Sequence, residues 1–430
     1  MKNKTRPTTG KKHSTGGPAA VLAIHGGKPV RTKPMPRHCL GANLIGREEM
    51  ALLRRVVESK SLFRHCPGGS RMVETFEKEL RNFLGVPFAL ATSSGSGALS
   101  CAMVALGVGK GDEVVIPAFG WMSNYHAVAL AGARPVIAEI DDSLNLNPES
   151  FATCITPRTK AVIVVHYQGA ASRLDEIVAI ARKHGIAVVE DVAQAIGGSF
   201  KGRKLGTWGD VGMFSLQHNK IICSGEGGAL VTSDQEIYER AVRAHDLGMV
   251  RPVFKDRLPQ PVITTGFPGF QWRMSELTGA VALAQLRRLP SILCAVKIRS
   301  EQLRRELIEE FPSLEFRAVL PGNDMGIVIE MNLGTVENVT RFRKAYEAEG
   351  LTFGPTSGCG TLTNFESVVA VLGKPSARTR RAFEKSSAIE GRMAGIALLP
   401  TYTKKDMQDI ATGAAKVLRG LGLALQNKKL

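Results

Sequence analysis

Three clusters of residues have types and spacings suited to chemistry. Thr92-Ser93-Ser94-Gly95-Ser96-Gly97-Ala98-Leu99 is a Gly/Ser-rich turn that opens into a helical pattern. Such a turn aims unpaired backbone N–H groups and hydroxyls at an anion, with the positive end of a helix dipole behind them. That suits a phosphate, although Ser and Gly also make ordinary helix caps. Further along, a hydrophobic run ends in Glu190-Asp191-Val192-Ala193-Gln194. A carboxylate delivered to that position can ligate a metal, hold a ribose, or pair with a protonated ring nitrogen.

The third cluster chooses among these. Phe214-Ser215-Leu216-Gln217-His218-Asn219-Lys220 leads into Cys223-Ser224-Gly225-Glu226-Gly227-Gly228. A lysine between two β runs of a core domain is poorly explained as a solvated surface charge. A Schiff-base lysine needs a cofactor aldehyde, a nearby phosphate cup and an acid on the far side of the cofactor ring. The turn at 94–97 and Asp191 supply candidates for the cup and the acid.

These residues need elements to position them. From Phe88 the chain alternates β-branched runs with helical patterns: strands are expected at Phe88–Thr92, Glu113–Ile116, Pro135–Glu139, Ala161–His166 and Ala187–Glu190, and helices at Gly97–Leu106, Ser123–Ala131 and Arg173–His184. The alternation predicts an α/β domain on a mainly parallel sheet, in which ligands bind beyond the carboxyl ends of the strands. Helices are also expected at Ser275–Leu289 and Ile298–Glu309, with Pro290 kinking or separating them. A smaller α+β lobe should follow, with strands near Gly326–Met331 and Gly395–Leu399 and helices near Thr340–Glu349 and Lys405–Leu423. Residues 250–268, Pro-rich and aperiodic, are long enough for a functional loop.

The motifs, taken in order, resemble the DegT/DnrJ/EryC1/StrS family of pyridoxal-phosphate sugar and cyclitol aminotransferases. The likeness runs through Ser94 to Leu99, Gly111-Asp112-Glu113-Val114-Val115-Ile116-Pro117 with Trp121, Ala131 to Val136, His166, Glu190 to Ala195, Phe214-Ser215 with Lys220, Gly225 to Gly228, and Gly269-Phe270-Gln271-Trp272-Arg273-Met274. It covers residues 21–290 well and the C-terminal lobe loosely. The resemblance implies a fold-type-I transferase: a large domain over 21–290 with a mainly parallel seven-stranded sheet, and a small α+β domain over 291–430. It makes Lys220 the Schiff-base lysine and general base, and pairs Asp191 with the pyridinium nitrogen. Gly95, Ser96, the Gly97 amide and Ser215 would hold the phosphate. Trp121 would stack on the ring, with Gln194 beside its 3′ oxygen. Gln271 stands where the family commonly has an Asn that reaches the neighbouring subunit's cofactor phosphate, so a homodimer with shared active sites is expected. His166 has two readings, a site residue or a core histidine, and Arg273 has two, a ligand of the donor carboxylate or a dimer brace.

The implied reaction is ping-pong transfer of an amino group from glutamine or glutamate to a keto-sugar, nucleotide-linked, or a keto-cyclitol. The opening Leu22-Ala23-Ile24-His25-Gly26-Gly27-Lys28-Pro29-Val30-Arg31 leans toward the branch with glutamine-dependent cyclitol aminotransferases and aminohydroxybenzoate synthases. A same-cofactor aromatisation enzyme and a non-catalytic regulatory homologue are the alternatives. Sugar dehydratases of the group replace the lysine with His, against which Lys220 counts. Phe353-Gly354-Pro355-Thr356-Ser357-Gly358-Cys359-Gly360 departs from the family's substrate segment, so the acceptor does not transfer by resemblance.

Composition bounds the class of protein. The 430 residues are 44% hydrophobic and 22% charged, as in ordinary globular chains. No uninterrupted apolar run is long enough to span a bilayer and no secretory signal pattern is present, so a cytoplasmic protein without a membrane partner is expected. Seven Cys without any CxxC pair predict incidental thiols rather than disulfides or structural zinc, and no metal is expected. The net charge of +17 suggests a polyanion partner, but residues 1–37 hold nine Lys or Arg and no Asp or Glu. About half the excess therefore lies in an arm whose first twenty residues read as a flexible basic tail. A phosphate-bearing cofactor is anion enough for the remainder, and nucleic acid is not expected.

Overall fold

The computed structural model describes residues 21–37, 39–258, 260, 266–354 and 360–423. The basic tail at 1–20, part of the 250–268 loop and most of the Phe353–Gly360 segment lie outside the described residues.

Seven strands form the main sheet: β1 (Phe88–Thr92), β2 (Glu113–Pro117), β3 (Arg134–Ala138), β4 (Thr159–Val165), β5 (Ala187–Asp191), β6 (Val211–Ser215) and β7 (Gly228–Thr232). Their order is β1-β7-β6-β5-β4-β2-β3. Strand β7 runs antiparallel to both its neighbours, and the other pairs are parallel. The period-two alternation of side chains divides each apolar strand between two cores. Leu90, Ile116, Ile163, Val189 and Met213 face one, while Ala91, Val115, Val164, Val188 and Phe214 face the other. Helices Gly95–Ala105, Ser123–Leu130 and Gln235–His245 cover the first face, and Met72–Leu84, Leu174–Lys183 and Glu276–Glu310 the second. Burial on both faces is why these strands read as unbroken hydrophobic runs.

The small lobe carries a three-stranded antiparallel sheet, β8 (Glu315–Phe316), β9 (Val328–Asn332) and β10 (Met393–Ala397), in that order. Helices Val336–Ala348 and Lys404–Leu421 pack against it, with Phe342, Tyr346 and Val417 in a core continuous with the second face of the main sheet. The N-terminal segment also packs on this lobe. The amides of Ala23 and Val30 donate to the buried Glu349 carboxylate, at 2.9 and 3.0 Å, and Arg31 pairs with Asp406 and Asp409.

Pro290 does not divide the chain as its chemistry suggested: Glu276–Glu310 is one helix of 35 residues with the proline inside. Leu286, Leu289, Ile292 and Val296, on both sides of Pro290, are all buried. Breaking the helix would expose that stripe, whose packing outweighs the roughly 3 kcal/mol that an interior proline costs. By length and composition this helix is apolar enough to cross a membrane, but 56% of its apolar window is buried inside the protein. The six described cysteines are free thiols, and no metal-binding cluster occurs among the described residues.

Candidate active site

The helix Gly95–Ala105 starts at the carboxyl end of β1. Ser94 is its N-cap, its hydroxyl accepting the Gly97 N–H at 3.0 Å. Gly97, expected to face an anion, is thus spent on the cap, and the first-turn amides of Gly95 and Ser96 are the ones without helical partners. Two close approaches explain the glycines. A Cβ on Gly95 would lie 2.8 Å from Ser215 Cβ at the end of β6, and one on Gly228 would meet the Ser94 carbonyl carbon at 2.5 Å. The helix start is pressed directly onto the ends of β6 and β7.

Asp191 ends β5 and is 5% exposed. Its Oδ1 accepts the Ala193 N–H at 3.0 Å. Its neighbour Glu190 points the other way and is wholly buried, accepting the amides of Gly206, Trp208 and Gly209 at 2.8, 2.6 and 2.8 Å. His166 is the core histidine of its two readings. It is fully buried, its Nδ1 accepts the Ser172 N–H, and so its Nε2 is left to donate to Glu190 at 3.1 Å.

Lys220 lies in the loop that joins β6 to β7. The loop is closed by Leu216 N–H to Gly227 O at 2.9 Å and Ser224 N–H to Leu216 O at 2.8 Å. Ile221 and Ile222, both buried, anchor its far side in the core. The Lys220 carbonyl accepts the Gly41 N–H at 3.2 Å, which ties the lysine to the segment crossing above it. That anchoring leaves the half-buried Lys220 at the cavity wall rather than in solvent.

Residues far apart in the chain thus enclose one cavity of about 380 Å³, lined by Gly95, Ser96, Trp121, Asp191, Gln194, Ser215 and Lys220. Trp121 sits at the rim, 39% exposed, edge-on to Phe365 at 5.5 Å. Gln194 Oε1 accepts the Gln168 N–H at 3.2 Å. Gln271 is exposed and does not line the cavity; its backbone forms an isolated antiparallel β-bridge with that of Asp246. Arg273 pairs with the same Asp246 and lies over the Phe63 ring at 5.3 Å. Burial works against the Asp246 charge, but hydrogen bonds from Arg251 and Arg273 outweigh it and hold the carboxyl below its ordinary range. His65, beside that aspartate, is pushed down to about 4 by burial and then by Arg64.

Gln168 and Ile327 are among the lining residues that the motifs did not single out. Neither carries a local signal: Gln168 is an ordinary polar residue in a turn, and Ile327 comes from the small lobe. Together the cavity offers an amine that can attack a carbonyl, a buried carboxylate that can hold a proton on a ring nitrogen, and a helix start with hydroxyls for an anion. The donor set fits an aldehyde cofactor with a phosphate tail.

A family model described as the DegT/DnrJ/EryC1/StrS aminotransferase family matches residues 43–413. Over 93% of this chain and 98% of its own length, the L-glutamine:2-deoxy-scyllo-inosose aminotransferase of Streptoalloteichus tenebrarius is 32% identical. GDP-perosamine synthase of Caulobacter vibrioides is 37% identical over 52% of this chain and 59% of its own. A solved structure of 3-amino-5-hydroxybenzoic acid synthase superposes with a TM-score of 0.77 at 25% identity, covering 91% of this chain and all of that one.

Proposed function

Since the chain belongs to the DegT/DnrJ/EryC1/StrS aminotransferase family, we propose that it moves an amino group from glutamine or glutamate to a ketone on a cyclitol or sugar ring, with pyridoxal 5′-phosphate as cofactor. The observation that carries the reading is the convergence of Lys220, Asp191 and the helix start at Gly95 in a single cavity. When bound, the cofactor supplies an aldehyde that condenses with amines and a ring that takes up electrons.

The protein's part is to hold and to move protons. Ser96, Ser215 and the first-turn amides would bind the phosphate, and Trp121 would cover a face of the ring. The Asp191 carboxylate would keep a proton on the ring nitrogen, and Gln194 would stand by the ring oxygen. Lys220 Nζ would anchor the cofactor covalently and, once freed by the substrate amine, carry the proton between two carbon atoms. One cavity must serve donor and acceptor in turn, which supports a ping-pong sequence. Gln271, exposed and off its own cavity, supports a homodimer in which it reaches the partner's cofactor phosphate.

The near full-length match to a 2-deoxy-scyllo-inosose aminotransferase favours a keto-cyclitol acceptor and glutamine as donor. A second reading, aromatisation on the same cofactor, has the likeness to 3-amino-5-hydroxybenzoic acid synthase in its favour. Incubation with amino-¹⁵N glutamine and a keto-cyclitol separates the two, since only transfer places the label on the ring. Protein reconstituted with pyridoxal phosphate should show a visible chromophore that borohydride fixes to the chain, and Lys220→Ala should abolish the covalent adduct. Failure of the wild type to bind any chromophore overturns the proposal.

A further inference from the structure

We infer that Gln168 reads the acceptor: its carboxamide binds a ring hydroxyl of a polyhydroxylated ketone. The inference rests on the aminotransferase reading and names the residue that recognises the second substrate.

Gln168 is 6% exposed and lines the cavity with Lys220 and Gln194. Its backbone is left-handed, at φ 47° and ψ 43°, a conformation that a residue with a side chain adopts only at a cost. The surroundings over-determine it. Arg317, from the small lobe, donates to the carbonyls of Tyr167 and Gln168 at 3.1 and 3.0 Å. Asn145 accepts the Tyr167 N–H at 2.8 Å and donates to the Ala170 carbonyl at 3.2 Å. The Gln168 N–H goes to Gln194, and the Gly169 carbonyl accepts the Met325 N–H at 3.1 Å.

The backbone groups of Tyr167 and Gln168 are thus engaged, whereas the Gln168 carboxamide makes no hydrogen bond among the described residues. The residue lines the cavity, so its unpaired carboxamide is available to a polar group that enters there. A carboxamide both donates and accepts, as does a hydroxyl, and it carries no charge to complement a carboxylate. A ring ketone bearing several hydroxyls supplies such a partner where Lys220 and Gln194 already meet. Because Arg317 belongs to the small lobe, packing of that lobe sets the position of the carboxamide.

The test uses cofactor-loaded protein and myo-inositol, a polyol that cannot react. Gln168→Gly removes the carboxamide and accepts the left-handed backbone, and Gln168→Asn keeps a shortened amide in a residue that also accepts it. Calorimetry should show myo-inositol affinity falling about tenfold in Gln168→Gly, with Gln168→Asn between the two. Spectral bleaching by glutamine, the donor half-reaction, should be unchanged in both. Equal polyol affinity in wild type and Gln168→Gly overturns the inference, as do absent polyol binding by the wild type and a matching loss in the donor half-reaction. If neither glutamine nor glutamate bleaches the wild type, the aminotransferase reading falls instead, and the calorimetric comparison still decides whether Gln168 binds hydroxyls.

Discussion

Glu190 and Asp191 are consecutive residues of β5 that serve opposite faces of the sheet. Asp191 lines the cavity, while Glu190 accepts three backbone amides and the His166 ring on the other side. Every partner of Glu190 is a donor, so Glu190→Gln would set an amide NH₂ against N–H groups. This variant should lose about 2–4 kcal/mol of stability, read from the urea midpoint at constant slope. Asp191→Asn should keep its midpoint and lose transferase activity, because in the proposed mechanism it is the carboxylate that holds the ring-nitrogen proton.

Gly95→Ala should perturb the site through one contact. The added methyl would meet Ser215 Cβ at 2.8 Å and push the helix start off β6. We expect about 1–3 kcal/mol of destabilisation together with weaker cofactor binding. Adding Ser215→Gly should restore the thermal midpoint but not the cofactor affinity, since it also removes a hydroxyl from the proposed phosphate site. Additive stability losses in the double variant would contradict the contact.

Glu330 gives stability a pH dependence of known sign. Burial pushes its carboxyl up to about 7, with Arg317 opposing and Asp324 and Glu390 adding to the rise. The folded chain therefore holds this proton more tightly than the unfolded chain, whose ordinary value is 4.5. The contribution is fully present below that value and is lost as pH rises through about 7. Glu330→Gln should remove a pH-dependent term on the order of 3 kcal/mol. Denaturant midpoints of variant and wild type should agree at low pH and separate, in the variant's favour, above neutrality.

Truncation at the N-terminus should have a sharp threshold. Removing residues 21–31 strips Glu349 of two amide donors and Asp406 and Asp409 of Arg31. Among the described residues Glu349 then keeps only the Lys416 ammonium, at 2.8 Å, as a side-chain partner. Loss of about 2–5 kcal/mol is expected in that truncation, measured by thermal unfolding. Arg31→Ala alone should cost less, since Asp406 keeps its bonds to Thr403 and Asp409 keeps Lys405.

Much of the candidate site was legible in the chain because its motifs are local. Alternating β-branched runs and helical patterns fix which residues end each strand, and strand ends of a parallel sheet are where ligands bind. That is enough to place Asp191 at the end of β5, Lys220 in the turn after β6 and the Gly/Ser cap after β1. The helix through Pro290 was not legible, because its continuity depends on a buried stripe packing against distant segments rather than on the proline itself. His166 and Glu190 were equally opaque: one strand residue points to the cavity and the next to the core, and only the packed neighbours show which is which. Gln168 has no signal in its sequence, since its left-handed backbone is imposed by Asn145 and by Arg317 from another lobe. The sequence by itself determined the residue types and their order along the sheet edge. The tertiary structure decided which of them share one cavity, because that depends on contacts between segments that no local pattern encodes.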